Sequence, residues 1–514
     1  MSSPSVDKHC DEKHIEYETA GAADVSVSMA DVDTGAMVAS GVDVHLDPDE
    51  AVRLRRVAKK IDRHILPLMC GAVQFMDKTT LGNAAILGIK QGAHLITDQL
   101  GTIFYLAYLV MQFPQNLALQ RFPIAKWMSF NIFLWGVSLC CHAACHNFAG
   151  LMVVRTLLGA CEGFLFVTAM FYTRREQGVR VGYWFFMNGF AQIISGFLSF
   201  GILHIKPGKI APWQWLMLIT GIMTLITAVC FWFFFPDSPT TAWFLTPRER
   251  TLAVLRIKEN QTGVENKRFK KEQMIEALKD RKTWLFAAFS AFTQVPNSLS
   301  NQKPLIVNSF GFTVLQTTLL TCVDGVISIA TIALGVHVAA RTNQRGYTAF
   351  AWKSPNILGA ILIMSLPWSN RVGLLFALWV SGIGSTSFVI FIAWLTSVTA
   401  GHTKRVTNNA IMLIAYCIGN AVGPFMWKDK YKPRNRVPWA IIVMCFVVCM
   451  VLLLLIRWEL SAENKRRDQE PSSDKYDNVY VERLSPDGVT EKVKVDKEFL
   501  DLTDIQNRDF RYVL

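Results

Sequence analysis

The sequence predicts an all-α membrane protein: twelve transmembrane helices in two six-helix halves, with both termini cytoplasmic. Three observations predict it. Of the 514 residues, 51% are hydrophobic and only 18% charged, and the mean hydropathy is +0.27, which is apolar for a chain of this length. Apolar runs recur at the roughly 20 residues that a bilayer-crossing helix needs, without the short alternating segments of a membrane β-barrel. A long hydrophilic stretch divides these runs into two equal sets.

Residues 1–60 are polar and acidic and read as a disordered cytosolic tail. No cleavable leader is visible there, so the first span acts as its own insertion signal. Arg53, Arg55, Arg56, Lys59, Lys60 and Arg63 form a basic collar that holds this end inside. The N-terminal bundle, 61–235, carries spans at about 65–87, 100–120, 127–146, 148–171, 180–203 and 213–235. A cytoplasmic loop, 236–283, runs from PDSPTTAWFLTPRER to KKEQMIEALKDRK. The C-terminal bundle, 284–458, carries spans at about 284–307, 315–339, 349–367, 372–396, 407–427 and 438–457, and 459–514 is a cytosolic tail.

Loops assigned to the inside carry Arg121 and Lys126, then Arg174, Arg175 and Arg180, then Arg341 and Arg345, then Lys404 and Arg405. Outer loops are poorer in charge, except 428-KDKYKPRNR-436, which breaks the rule. The net charge of +12 therefore reads as basic helix ends, not as a nucleic-acid footprint. The eleven cysteines lie mostly inside apolar runs and read as small core residues. The run 140-CCHAACH-146 looks metal-like but has no partner cluster, so no metal and no cofactor are expected. Zinc-pair, nucleophile-elbow and cofactor-loop motifs are absent, which argues against an enzyme.

The first span, 71-GAVQFMDKTTLGNA-84, places Asp77 and Lys78 in apolar surroundings. Each central charge costs about 2.5–3.5 kcal/mol on insertion scales. They either pair to lock helix packing or face water between the helices. The fourth span, 151-LMVVRTLLGACEGFLF-166, supplies matching charges. Arg155 and Glu162, seven residues apart, fall on one helical face, with Gly159 and Gly163 close to it. Four ionisable groups thus meet in one bundle. The cations suit a small organic anion, and a carboxylate in a low-dielectric site suits a proton.

At this point a family resemblance is evident. FMDKTTLGNA resembles the Asp-Arg-x-x-Ile-Gly-Asn-Ala of the fungal allantoate permease family, in the anion:cation symporter branch of the major facilitator superfamily. RTLLGACEG resembles its Arg-x-x-x-Gly-x-x-Glu-Gly, and FFFPDSPTTAWFLTPRER its Pro-Asp-x-Pro…Phe-Leu-Thr-x-x-Glu-Arg. SNQKPLIVNSFGFTVLQTTLL, AGHTKRVTNNA and IGNAVGP resemble later family segments in the same order. The resemblance implies the major facilitator fold, Asp77 and Glu162 as proton-linked carboxylates, and Lys78 and Arg155 as partners of the substrate anion. Lys78 departs from the family's arginine; a lysine is a point charge without a planar bidentate grip. In 119-LQRFPIAKW-127 Arg121 keeps a gating or structural position, but Gln120 replaces the acid of the superfamily signature.

Further polar residues are candidates for the substrate path. Tyr108 lies six residues before Pro114, where related anion transporters place a substrate tyrosine. Asn188 and Gln192, and likewise Gln294, Asn297 and Asn301, fall at helical spacings that line a path or glue helices together. Trp394 and Asn420 are weaker candidates. Lys303 and Asp324 either pair across the seventh and eighth spans or form a second proton or substrate group. His402, Lys404 and Arg405 sit at a cytoplasmic boundary and read as gating or structural. The expected function is a proton-coupled symporter of a small organic anion such as allantoate, a ureido acid, a small peptide or a vitamin-like carboxylate, acting as a plasma-membrane monomer. The alternatives are an exporter or intracellular carrier of a fungal secondary metabolite, and a nutrient receptor that does not transport.

Overall fold

The computed structural model describes residues 25–26, 48–69, 73–92, 100–162, 172, 174–206, 208–239, 241–258, 270–470, 479–484, 490–495 and 502–514. In chain order the first half supplies α1 (Pro48–Met69), α2 (Val73–Ile86), α3 (Leu100–Arg121), α4 (Ile124–His142), α5 (Phe148–Cys161), α6 (Arg174–Ile202) and α7 (Pro212–Phe234). The connecting stretch contains α8 (Pro247–Lys258) and α9 (Lys271–Lys279). The second half supplies α10 (Arg281–Gln294), α11 (Leu299–Ser309), α12 (Val314–Thr342), α13 (Arg345–Ser365), α14 (Arg371–Val380), α15 (Ser385–Ser397), α16 (His402–Val422) and α17 (Arg436–Gln469).

With α10–α11 and α14–α15 taken as interrupted pairs, twelve helical stretches among the described residues fall where twelve spans are expected. Seven are long and apolar enough to cross a membrane by length and composition. The others are shorter or less apolar over the described residues. Asp77 and Lys78 interrupt the apolar character of α2. Pro296 sits in the 3-10 turn Val295–Ser298 that separates α10 from α11. Over the described residues the apolar parts of α3 and α5 run Leu100–Gln112 and Phe148–Cys161.

Local chemistry sets several helix ends. Thr313 and Gln316 exchange bonds at the start of α12, each side-chain oxygen accepting the other's backbone N–H at 3.2 and 3.0 Å. The same helix ends on Asn343 in the left-handed region. Asn147 caps α5 by accepting the Gly150 N–H at 2.8 Å, and Asn370 caps α14 by accepting that of Gly373 at 2.9 Å.

Within the first half α4 packs on α7, α3 on α5, and α2 on α6 and α7. Within the second, α13 packs on α17 and α10 on α16. The halves meet along three seams: α6 with α12, α2 with α11, and α3 with α16. The Thr102 hydroxyl donates to the Ala421 carbonyl at 2.9 Å, and a Cβ on Gly82 would lie 3.0 Å from the Asn301 carbonyl oxygen. These contacts close the molecule on the face away from the termini.

On the face that carries the termini, two segments depart from the sequence expectation. Residues 1–60 read as disordered, but Pro48–Met69 is helical. Leu54, Val57, Ile61, Ile65 and Leu68 recur at spacings of three and four, and Val57, Ile61 and Ile65 are buried against Phe231, Phe235 and Phe244. The Lys60 ammonium meets Glu249 of α8 at 2.7 Å, and the His64 ring stacks on Phe244 with centroids 4.4 Å apart. Residues 459–514 read as an exposed tail, but α17 continues to Gln469, and Thr503, Asp504 and Tyr512 are buried against the second half. Short tail strands also pair: Val25–Ser26 runs parallel to Val479–Leu484, which is antiparallel to Thr490–Val495.

Candidate functional site

Asp77 and Lys78 lie on the described backbone of α2, but their side chains lie outside the described residues, as does Gly163. What positions this helix is plain. The Asn83 amide donates to the Ser195 hydroxyl of α6 at 2.8 Å, and Gly82 lets the α11 backbone approach at Asn301. The carboxylate and ammonium positions therefore belong to a helix held between the two halves.

Arg155 is 4% exposed, in a helix with no other charged residue. Its helix crosses α3 at Gly159, where any side chain would run into the Phe104 carbonyl. Tyr108, one turn along α3 from Phe104, is also buried. Glu162 is the residue after the last described turn of α5, with φ −89° and ψ 84°. Its backbone N–H bonds to the Gly159 carbonyl at 3.4 Å, and its side chain is half-buried. It stands at the described end of α5, and residues 163–171 that follow it lie outside the described residues.

His142 joins this region unforeseen. It ends α4 fully buried, its Nδ1 lies 2.7 Å from the Ser138 carbonyl oxygen, and it is within electrostatic reach of Arg155. Its sequence signal is 140-CCHAACH-146, which the metal reading covers up. Cys145 of that run donates to the Cys141 carbonyl at 3.3 Å, and among the described residues no group of three His, Cys, Asp or Glu is placed to hold a metal ion.

The second half gathers its polar candidates at the break between α10 and α11. The Asn420 amide donates to Gln294 Oε1 at 3.2 Å and to the Tyr416 carbonyl at 2.9 Å, and accepts from Asn297 Nδ2 at 2.7 Å. Mutual amide bonding of this kind holds α10 and α16 together. Asn188 and Gln192 are 3.5 Å apart at their amides, the limit of a hydrogen bond, and flank Gly189, where α6 crosses Gly325 of α12. Lys303 and Asp324 form an ion pair of 2.7 Å between α11 and α12.

Trp394, grouped with the substrate residues in the sequence reading, is elsewhere. Its indole is fully buried beside Phe286 and donates to the Val513 carbonyl at 2.7 Å. It belongs to the terminal face. There Lys404 is fully buried and meets Glu276 at 2.8 Å, Asp280 at 2.9 Å and Asp504 at 3.1 Å. Arg405 donates to the Thr399 carbonyl at 3.1 Å, while His402 and Arg121 are exposed.

Known proteins match this architecture. The family model described as Major Facilitator Superfamily matches residues 68–424. A thiamine pathway transporter of Saccharomyces cerevisiae is 35% identical over 89% of this chain and 86% of its own length. The allantoate permease of the same yeast is 32% identical over 92% of this chain and 88% of its own. A high affinity cysteine transporter from it is 29% identical over 86% of this chain and 87% of its own. Among solved structures, the xylose transporter XylE from E. coli superposes with a TM-score of 0.59 at 13% identity, covering 77% of this chain and 98% of that one, a likeness of fold alone.

Proposed function

The chain belongs to the major facilitator superfamily and, within it, to the fungal allantoate permease family of membrane transporters, and from that premise we propose that it carries a small organic anion together with protons. The observation that carries this reading is Arg155, a guanidinium 4% exposed in an apolar helix. A buried cation of this kind is costly and marks a substrate or ion path. A planar guanidinium suits a carboxylate by two parallel hydrogen bonds. The relatives' names agree in chemistry: allantoate and cysteine both carry a carboxylate.

In this reading Arg155 and Lys78 receive the substrate carboxylate, with Tyr108 alongside. Asp77 and Glu162 carry the proton: occupation of their cationic partners by substrate removes the positive charge that keeps them ionised, so each takes up a proton with the anion. The neutralised groups then pass through the bundle as the halves rock about the seams of α2 with α11 and α6 with α12. The direction is inward across the plasma membrane, and the working unit is the monomer.

The test is uptake in a yeast lacking its own permeases of this family. Labelled allantoate, ureidosuccinate, cysteine and nicotinate are offered at acidic and neutral external pH, with and without a protonophore. Accumulation that needs acid outside, collapses with protonophore and vanishes in Arg155→Ala is expected. Absence of uptake across the panel, with the protein at the cell surface, would overturn the reading.

A further inference from the structure

The second half contains a charge site of its own. Lys303 of α11 and Asp324 of α12 pair at 2.7 Å, with side chains 18% and 8% exposed. Both interrupted helices converge on them. Lys303 follows the 3-10 turn Val295–Ser298, and Gly382 lies in the turn between α14 and α15. A Cβ on Gly382 would sit 2.9 Å from Lys303 Nζ and 3.9 Å from Asp324 Oδ1, so that turn passes directly beside the pair. Discontinuous helices in a transporter place backbone polar groups where a ligand is held.

The pair also lies at the seam between the halves. Two residues before Lys303, Asn301 meets Gly82 of α2, four residues beyond Lys78. One residue after Asp324, Gly325 meets Gly189 of α6, beside Asn188 and Gln192. Both partners are thus anchored next to backbone contacts with the opposite half. An ion pair serving only to bind α11 to α12 has no need of a turn from a third element beside it or of two seams with the other bundle.

We propose that Lys303 and Asp324 form a second polar subsite, for a ligand that carries both a carboxylate and an N–H donor group. The ammonium takes the anionic end, and the carboxylate takes the donor, an amide, ureido or ammonium N–H. The pair holds itself in register when no ligand is present, which spares the helix an isolated charge. This subsite rests on the anion-transport reading above and gives it selectivity: carboxylates with an N–H donor are preferred to plain ones.

The experiment exchanges the charges, Lys303→Asp with Asp324→Lys, and separately neutralises them, Lys303→Met with Asp324→Asn. Uptake of allantoate and of propionate is measured beside surface abundance and the uptake KM. A packing pair survives either change, since attraction or neutrality is kept; a ligand subsite does not. Both variants at the cell surface, with KM for allantoate raised at least about tenfold and the preference over propionate lost, is expected. Where the exchanged variant fails to reach the surface, the neutral one decides. A wild-type KM and preference in a surface-resident double variant overturns this inference and leaves anion transport standing. Wild-type protein that takes up neither carboxylate overturns both.

Discussion

Asp504, close to the C-terminus, lies 3.1 Å from the ammonium of Lys404, and neither side chain is exposed. Lys282 of α10 also pairs with Asp504, and the Tyr512 hydroxyl donates to it at 2.7 Å. Around this centre the chain end reaches most of the second half. The Arg345 N–H donates to the Leu514 carbonyl at 2.6 Å, Trp394 to that of Val513, and Arg467 to that of Phe510 at 2.7 Å. The helices α10, α13, α15, α16 and α17, which begin or end at this face, are joined by one short segment.

Removing its central charge tests that joint. Asp504→Asn leaves Lys282 and Lys404 sharing Asp280 and Glu276, at 3.2, 2.9 and 2.8 Å. Losing one partner of a buried ionic group costs about 3 kcal/mol where others remain. The purified full chain should melt at a lower temperature, and carboxypeptidase should release the final residues faster than in wild type.

The same centre sets a pH window. Burial alone would raise the Asp504 carboxyl, but the ammonium groups of Lys282 and Lys404 and the Tyr512 bond outweigh it and hold it below its ordinary value. A depressed carboxyl stabilises above its unfolded pKa, and that stability is lost as pH falls through the folded one. Burial, and then the Asp504 charge, raise the Tyr512 phenol, whose contribution is complete below its unfolded pKa and lost as pH rises. Docking of 502–514 should therefore be flat between about pH 5 and 9 and weaken only beyond about 4 and 10. Protease protection of the chain end against pH measures this; release near neutrality would mean another group governs the contact.

How much of this can be read in the sequence depends on the range of the signal. Twelve apolar stretches are local, and so is the pairing of Lys303 with Asp324, whose charges sit in neighbouring spans. The helical spacing of Gln294, Asn297 and Asn301 is visible, but whether the first two bond to Asn420 or face a path depends on the helix rotations. The period of Leu54 to Leu68 is readable, and the surrounding arginines and lysines mask it. Asp504 carries no local signal of its ion pairs, because its cationic partners Lys282 and Lys404 are a hundred or more residues away.

Asn420→Leu should cost stability more than affinity. It leaves Gln294 Oε1 and Asn297 Nδ2 without the partner now at 3.2 and 2.7 Å, a loss of about 2 kcal/mol. A lower melting temperature with an unchanged uptake KM is expected. A raised KM at full stability would place these amides on the substrate.

Gly325→Leu should open the far face. A side chain there meets the Gly189 carbonyl and lies 2.7 Å from Ile193 Cγ1, so α6 and α12 must separate. Cysteines at positions 102 and 421, whose native groups are 2.9 Å apart, should cross-link readily in the parent and poorly when combined with Gly325→Leu. Equal cross-linking would show that the seam yields elsewhere.

Glu162→Gln separates proton coupling from carriage. The carboxylate stands half-buried at the end of α5, about two turns beyond Arg155 in sequence, where its charge can respond to whether the cationic site is filled. Glutamine keeps the size and hydrogen bonding but holds no exchangeable charge, so the rocking step no longer waits for a proton. In proteoliposomes the variant should fail to concentrate labelled substrate under an inward proton gradient. It should still exchange labelled for unlabelled substrate across the membrane, because exchange needs only the loaded carrier to cross. Loss of both activities together would assign Glu162 to binding or to the helix end. Retained, acid-stimulated accumulation would move the proton to Asp77.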